Sequence, residues 1–204
     1  MQGLSDPDAP AKDRGVPVAK TSQIPPGPKP TTPDQCRALM GGLPRRQRLM
    51  LGIIAARLAL PVWEAWAEQA AASVSATPRH ALETAAHWLD ARVASQAVDG
   101  IVSLVANAAE LTPGSPDDDL VHPAWYAAQS VHNACGRGDV LETGDGGRHV
   151  TAPATAVIMA ALASMPLDEF NPQATPAEHA EVRKRLYPAF FARWWDTCEK
   201  VHAV

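Results

Sequence analysis

The chain has 204 residues, 46% of them hydrophobic and 20% charged, with a formal net charge of −4. That length suits one domain with a substantial core plus a tail, and the near-balanced charge gives no bulk attraction to DNA, RNA or anionic lipid. Three widely spaced cysteines, Cys36, Cys135 and Cys198, form no C-x-x-C pair, which argues against a disulfide framework or a cysteine-rich zinc site and for a reducing cytosol.

The N-terminus shows no basic segment followed by an apolar one, so no secretory signal is expected. The most apolar stretch, LMLGIIAARLAL at 49–60, is interrupted by Arg57 and followed by Pro61 and Glu64. It falls short of the roughly 18–20 residues that span a bilayer. It reads as a buried helix of a soluble, cytoplasmic protein with no membrane partner.

Residues 1–33 hold eight prolines, few large apolar side chains and the run PPGPKPTTP. Such a segment cannot bury enough apolar surface to offset the entropy of ordering it. A disordered or polyproline II tail is expected there, ahead of an all-helical domain over 34–204. Pro-rich arms of this kind bind SH3-like domains in some proteins, but a plain tail is the simpler reading.

From about residue 34 the texture is Ala-rich and helical. Pro44 marks the start of a helix whose first turn holds Arg45, Arg46 and Arg48. Pro61 is expected to end or kink it, with Trp63 and Trp66 on a second segment. Positive charge at a helix N-terminus opposes the macrodipole, so these arginines read as a solvated turn or as groups serving an acidic neighbour or a partner. Thr77-Pro78 then supplies a cap and a proline at the first helical position. Ala81, Leu82, Ala85, Trp88 and Leu89 follow at helical spacing, and Val98, Ile101, Val102, Val105 and Ala109 make the next stripe. Pro123 begins a helix with Trp125, Ala128, Val131, His132 and Cys135 recurring every three to four residues. Thr151 and Pro153 open TAPATAVIMAALASM, apolar nearly all round and therefore expected at the centre. TPAE at 175–178 predicts a capping box, Thr175 to Glu178, opening a long last helix in which Glu181 and Arg185 pair and Pro188 kinks or splits the run. No stretch alternates with a period of two. The expected fold is a single all-α bundle of about six or seven helices.

Two connectors, 111–123 and 136–149, read as irregular. Arg137-Gly138-Asp139 in the second matches an adhesion tripeptide of extracellular proteins, a poor fit to a chain with no secretion signal. Its glycines lack the spacing of a phosphate loop, and Asp145-Gly146-Gly147 lacks the alternating ligands of a calcium loop.

The histidines are the residue type most open to a chemical role. His80 and His87 share a polar face with Glu83 and Thr84, but they lie about 10 Å apart along a helix, too far to hold one ion. The sequence H-E-x-x-H does not occur. His132 sits one turn before Cys135, and a His-x-x-Cys pair offers two ligands on one face, with His122, His149 or Asp139 nearest in sequence to complete a site. The same pair is a possible nucleophile and base without an identifiable orienting group. A core histidine hydrogen-bonded to a neighbour is the plainer reading. Six tryptophans, Trp63, Trp66, Trp88, Trp125, Trp194 and Trp195, are expected to fill gaps between Ala-rich helices, with a few left as interface anchors.

The order of segments carries a resemblance. An apolar helix is followed by P-R-x-A-L-E at Pro78, Arg79, Ala81, Leu82 and Glu83, with Trp88 near the helix end. An Ala-rich helix with Ala124, Ala127, Ala128, His132 and Ala134 comes later. This arrangement, over about residues 50–165, resembles the all-helical immunity proteins encoded in bacterial polymorphic-toxin loci. WLDARV stands where that pattern has a glycine soon after the Trp, and the tail and the aromatic last helix lie outside the match. The resemblance implies a small cytoplasmic protein that neutralises a cognate toxin by binding it, with no catalysis and no cofactor.

The leading expectation is therefore a non-enzymatic protein-binding module of immunity type. Its binding surface would use the acidic run Asp117, Asp118 and Asp119, which can attract a basic toxin, together with exposed tryptophan such as Trp125. The same run also suits a solvated loop. One alternative is a small enzyme or metal protein centred on His132 and Cys135. The other is a scaffold or regulatory module tethered through its Pro-rich tail.

Overall fold

The computed structural model describes residues 28–70, 77–91, 122–135, 152–166, 169, 171 and 174–202. These form six helices: α1 (Pro33–Gly41), α2 (Arg45–Gln69), α3 (Thr77–Ala91), α4 (Pro123–Cys135), α5 (Ala152–Ala163) and α6 (Pro176–His202). No strand occurs among the described residues, so the all-α expectation holds. The stripe at 98–109 and the connector at 136–149 lie outside the described residues, as do residues 1–27 and the 111–123 connector up to residue 121.

Helices α2, α4 and α5 pack on one another most extensively and make the centre; α3 lies against α2 and α4, α1 against α5, and α6 against α5 and α2. The surfaces that meet are built from small side chains: Ala55, Ala56, Ala124, Ala127, Ala128, Ala156, Ala160 and Ala161 are all fully buried. Small residues let helix backbones approach closely. At Gly52 a Cβ would stand 3.2 Å from Pro153 Cβ and 3.3 Å from Pro153 Cα. As its composition predicts, α5 is central, with nine of its residues, Pro153 and Leu162 among them, buried.

Three of the polar groups inside this core are matched to backbone carbonyls. Ser130 Oγ donates to Ala156 O at 2.8 Å, and Trp194 Nε1 donates to Leu51 O at 3.1 Å, tying α6 onto α2. Arg48, placed by sequence in a solvated first turn, is instead only 8% exposed and donates to Leu43 O at 2.6 Å. Its charge satisfies an acceptor in the turn between α1 and α2, which is why a basic group is tolerated near that helix start.

Several local features differ from expectation. Pro61 does not end its helix: α2 runs 25 residues through it, and α6 runs 27 residues through Pro188. Both prolines are exposed, as are Arg57 and Lys184, whose carbonyls lose their i+4 donor. Solvent can hydrate those carbonyls, so the lost bonds are inexpensive. The apolar run is thus part of a helix long and apolar enough to cross a membrane by length and composition, with 56% of its apolar window buried inside the fold. Helix α1 had no counterpart in the sequence reading. Its signal is Thr32-Pro33-Asp34-Gln35, where Thr32 accepts from Gln35 N and Gln35 Oε1 accepts from Thr31 N at 2.8 Å. The Pro-rich segment also enters the fold: Pro30 is buried and Lys29 is ion-paired with Asp196.

At the start of α6 the capping box forms as predicted, Glu178 N donating to Thr175 Oγ1 and Thr175 N to Glu178 Oε2. The expected Glu181–Arg185 pair is replaced. Glu181 pairs with Lys184, and Arg185 reaches Glu169 at 2.8 Å across the preceding turn. Arg79 and Glu64 form a two-pronged bridge, 2.7 and 2.8 Å, between α3 and α2.

The Gly52–Pro153 approach yields a prediction. Replacing a helix-interior glycine by alanine ordinarily gains about 1 kcal/mol. Here the atoms in the way belong to a proline ring and backbone, so we expect Gly52→Ala to lower the urea midpoint and Gly52→Val to cost roughly 1–3 kcal/mol. A gain in stability for the alanine variant in equilibrium unfolding would show that α5 yields freely.

Candidate functional site

Of the residues weighed for chemistry, Asp117, Asp118 and Asp119 lie outside the described residues, as do His149 and Asp139. His80 and Glu83 are exposed, in line with the polar-face reading, while the His87 side chain is not among those described.

Trp125 and His132, which spacing puts in line with Ala128, Val131 and Cys135 on α4, are both partly exposed. Because α2 and α5 flank α4 on two sides, its buried arc takes in Ala124, Tyr126, Ala127, Ala128, Ser130, Val131, Ala134 and Cys135. What remains is a narrow, partly exposed seam of Trp125, Gln129, His132 and Asn133. Cys135 therefore faces the core while His132 lies on the seam. His122 is ten residues from His132 on the same helix axis, about 15 Å away, and does not join it. Among the described residues no three His, Cys, Asp or Glu side chains gather as for a metal ion. Burial pushes the Cys135 thiol up to about 12, and does the same to Cys36 and Cys198. Thiols in that state are protonated at neutral pH and poor nucleophiles or ligands.

The Trp88 side chain is not among those described, and the other five tryptophans sort cleanly. Trp63 and Trp194 are fully buried and Trp195 nearly so, its Nε1 donating to Glu199 at 2.9 Å. Trp66 and Trp125 are only partly buried, packed on the edge of the core. Trp66 borders a groove of about 320 Å³ between the C-terminal half of α2, the start of α4 and the turn after α5. Pro61, Val62 and Ala65 of α2 make one wall, and His122 and Met165 the other. Trp63 backs Trp66 with ring centroids 5.1 Å apart, and His122 lies 6.5 Å from Trp66.

Local structure fixes each part. Pro61 is in the groove because its helix continues through it. His122 precedes the proline that opens α4 and caps that helix: its Nδ1 accepts from Ala124 N at 3.1 Å and its carbonyl from Trp125 N at 2.9 Å. A ring nitrogen that accepts must be unprotonated, and burial lowers the His122 pKa below 6.5. The groove is therefore apolar, with a neutral imidazole at one end. Sequence reading missed it, because histidine is not among the side chains that ordinarily signal a helix N-cap. Comparison of the chain with protein-family models, with curated protein sequences and with solved structures gives no match.

Two predictions follow from these environments. The fold favours neutral His122, so the unfolded chain binds that proton more readily. The resulting stability is present above pH 6.5 and is lost as pH falls through the lowered value. Chemical denaturation at pH 7.5 and 5.5 is expected to show this loss, and His122→Asn, which keeps an acceptor but does not titrate, to reduce it. An equal loss in the variant would assign the effect elsewhere. Separately, all three thiols are expected to resist iodoacetamide at pH 8 in the native protein and to react in urea; rapid native labelling of Cys135 would contradict its burial.

Proposed function

We propose that this chain is a cytoplasmic protein-binding module of immunity type, which engages a cognate toxin through the groove bounded by Trp66 and His122. The observation that carries the reading is the state of Trp66. Its indole is partly exposed on a helix fixed in the core, with Trp63 behind it and an apolar groove in front. A large side chain held in this way contributes contact area while losing little conformational freedom on binding. Met165, itself buried, closes the opposite wall. The neutral His122 keeps positive charge out of the groove, which favours an apolar anchor from the partner over an acidic one. The resemblance at Pro78, Arg79, Ala81, Leu82 and Glu83 supplies the partner class. In this structure Pro78, Ala81 and Leu82 are buried and Arg79 bridges to Glu64. Those motif residues therefore hold the fold, and the contact surface is assigned to the groove instead.

The test is co-expression with a toxin encoded beside this chain. Growth is expected to be restored and the two proteins to co-purify. Trp66→Ala is expected to weaken the complex by roughly 2 kcal/mol or more, about thirtyfold, with an unchanged far-ultraviolet circular dichroism spectrum. Failure to bind or protect would sink the immunity reading, and unchanged affinity in the variant would move the interface off the groove.

A further inference from the structure

A second groove, of about 360 Å³, lies between the turn after α5 and the middle of α6. We propose that it binds a small apolar carboxylate, with Arg193 taking the carboxylate. Its walls include Pro166, Leu186, Ala189 and Phe190, which suit an aliphatic or aromatic body. Two guanidinium groups and one carboxylate line it: Arg185, Arg193 and Glu169. Arg185 and Glu169 are matched to each other through both oxygens, at 2.8 and 3.5 Å. Arg193 has a different partner. Its guanidinium carbon sits 5.5 Å from the centroid of the Phe190 ring, and among the described residues no carboxylate bridges it. The described lining therefore carries one net positive charge beside an apolar wall.

The chemistry selects the ligand class. A guanidinium held against a ring presents a planar fork of N–H donors with reduced freedom, which matches the two oxygens of a carboxylate. A single such fork with apolar surroundings suits a monoanion with a hydrophobic body better than a phosphate dianion, which needs more donors. The volume lies at the lower end of the range of small-molecule sites. This groove shares no lining residue with the one that contains Trp66, so the two assignments stand or fall separately.

The experiment is a titration of the purified chain with 3-phenylpropionate and, in parallel, with the neutral 3-phenylpropionamide, followed by calorimetry and amide chemical shifts. Saturable binding of the acid is expected, with shifts centred on Leu186–Arg193 and at least roughly tenfold weaker binding of the amide. Arg193→Gln is expected to reproduce that loss for the acid, and Ala189→Trp, which fills the groove from an exposed position, to abolish binding while leaving the unfolding midpoint near that of the parent. No saturation by the acid in the millimolar range, equal binding of acid and amide, or full affinity in Arg193→Gln would overturn the proposal.

Discussion

The contact between Gly52 of α2 and Pro153 of α5 sets the spacing on which the rest of the molecule is built. With those two helices this close, the side chains between them must be small, and the central helices supply alanine at position after position. Alanine buries little area per residue, so cohesion depends on fit and on backbone approach more than on bulky apolar content. The large rings are placed around that close-packed centre. Trp63 closes it from α2, and Phe191, Trp194 and Trp195 cover it from α6. Ser130 and Trp194 give their polar hydrogens to carbonyls of neighbouring helices, so that burying those two groups carries little desolvation penalty.

The fold class was legible because it rests on periodicity. The capping box at Thr175, the proline-led starts at Pro44, Pro78 and Pro123, and the all-round apolarity of α5 all appear in the chain as written. Local rules failed where tertiary context decides. Pro61 and Pro188 read as breaks because sequence does not reveal that each faces solvent, where an unpaired carbonyl is cheap. On α4, spacing put Trp125 and His132 in line with the buried Ala128, Val131 and Cys135, whereas packing against α2, α3 and α5 leaves those two partly exposed. Arg48 looked solvated because the acceptor that buries it, the Leu43 carbonyl, is a backbone atom with no signature. The Glu181–Arg185 pair failed for a similar reason, since Glu169 arrives from a turn outside the helix.

The grooves illustrate the same limit. Neither depends on a motif. One forms because α2 continues past Pro61 and brings Trp66 opposite a capping histidine; the other forms because the turn carrying Pro166 and Glu169 stands off from α6. In each, the electrostatic character is set by a single group, a neutral imidazole in one and a guanidinium in the other. The residues singled out by spacing, His132 and Cys135, stand one turn apart on α4, the first partly exposed and the second buried.

The bond from Trp194 to the Leu51 carbonyl has a consequence for how the protein is made. It joins positions 143 residues apart, so α2 emerges from the ribosome long before its last covering helix exists. At about 5–20 residues per second the interval is roughly 7–30 s. During that time the apolar flank that α6 will later cover is open to solvent or to whatever factor shields nascent chains. Substitutions that slow translation of the C-terminal third would lengthen this window without altering a single contact of the finished structure, and would be felt first as aggregation of new chains.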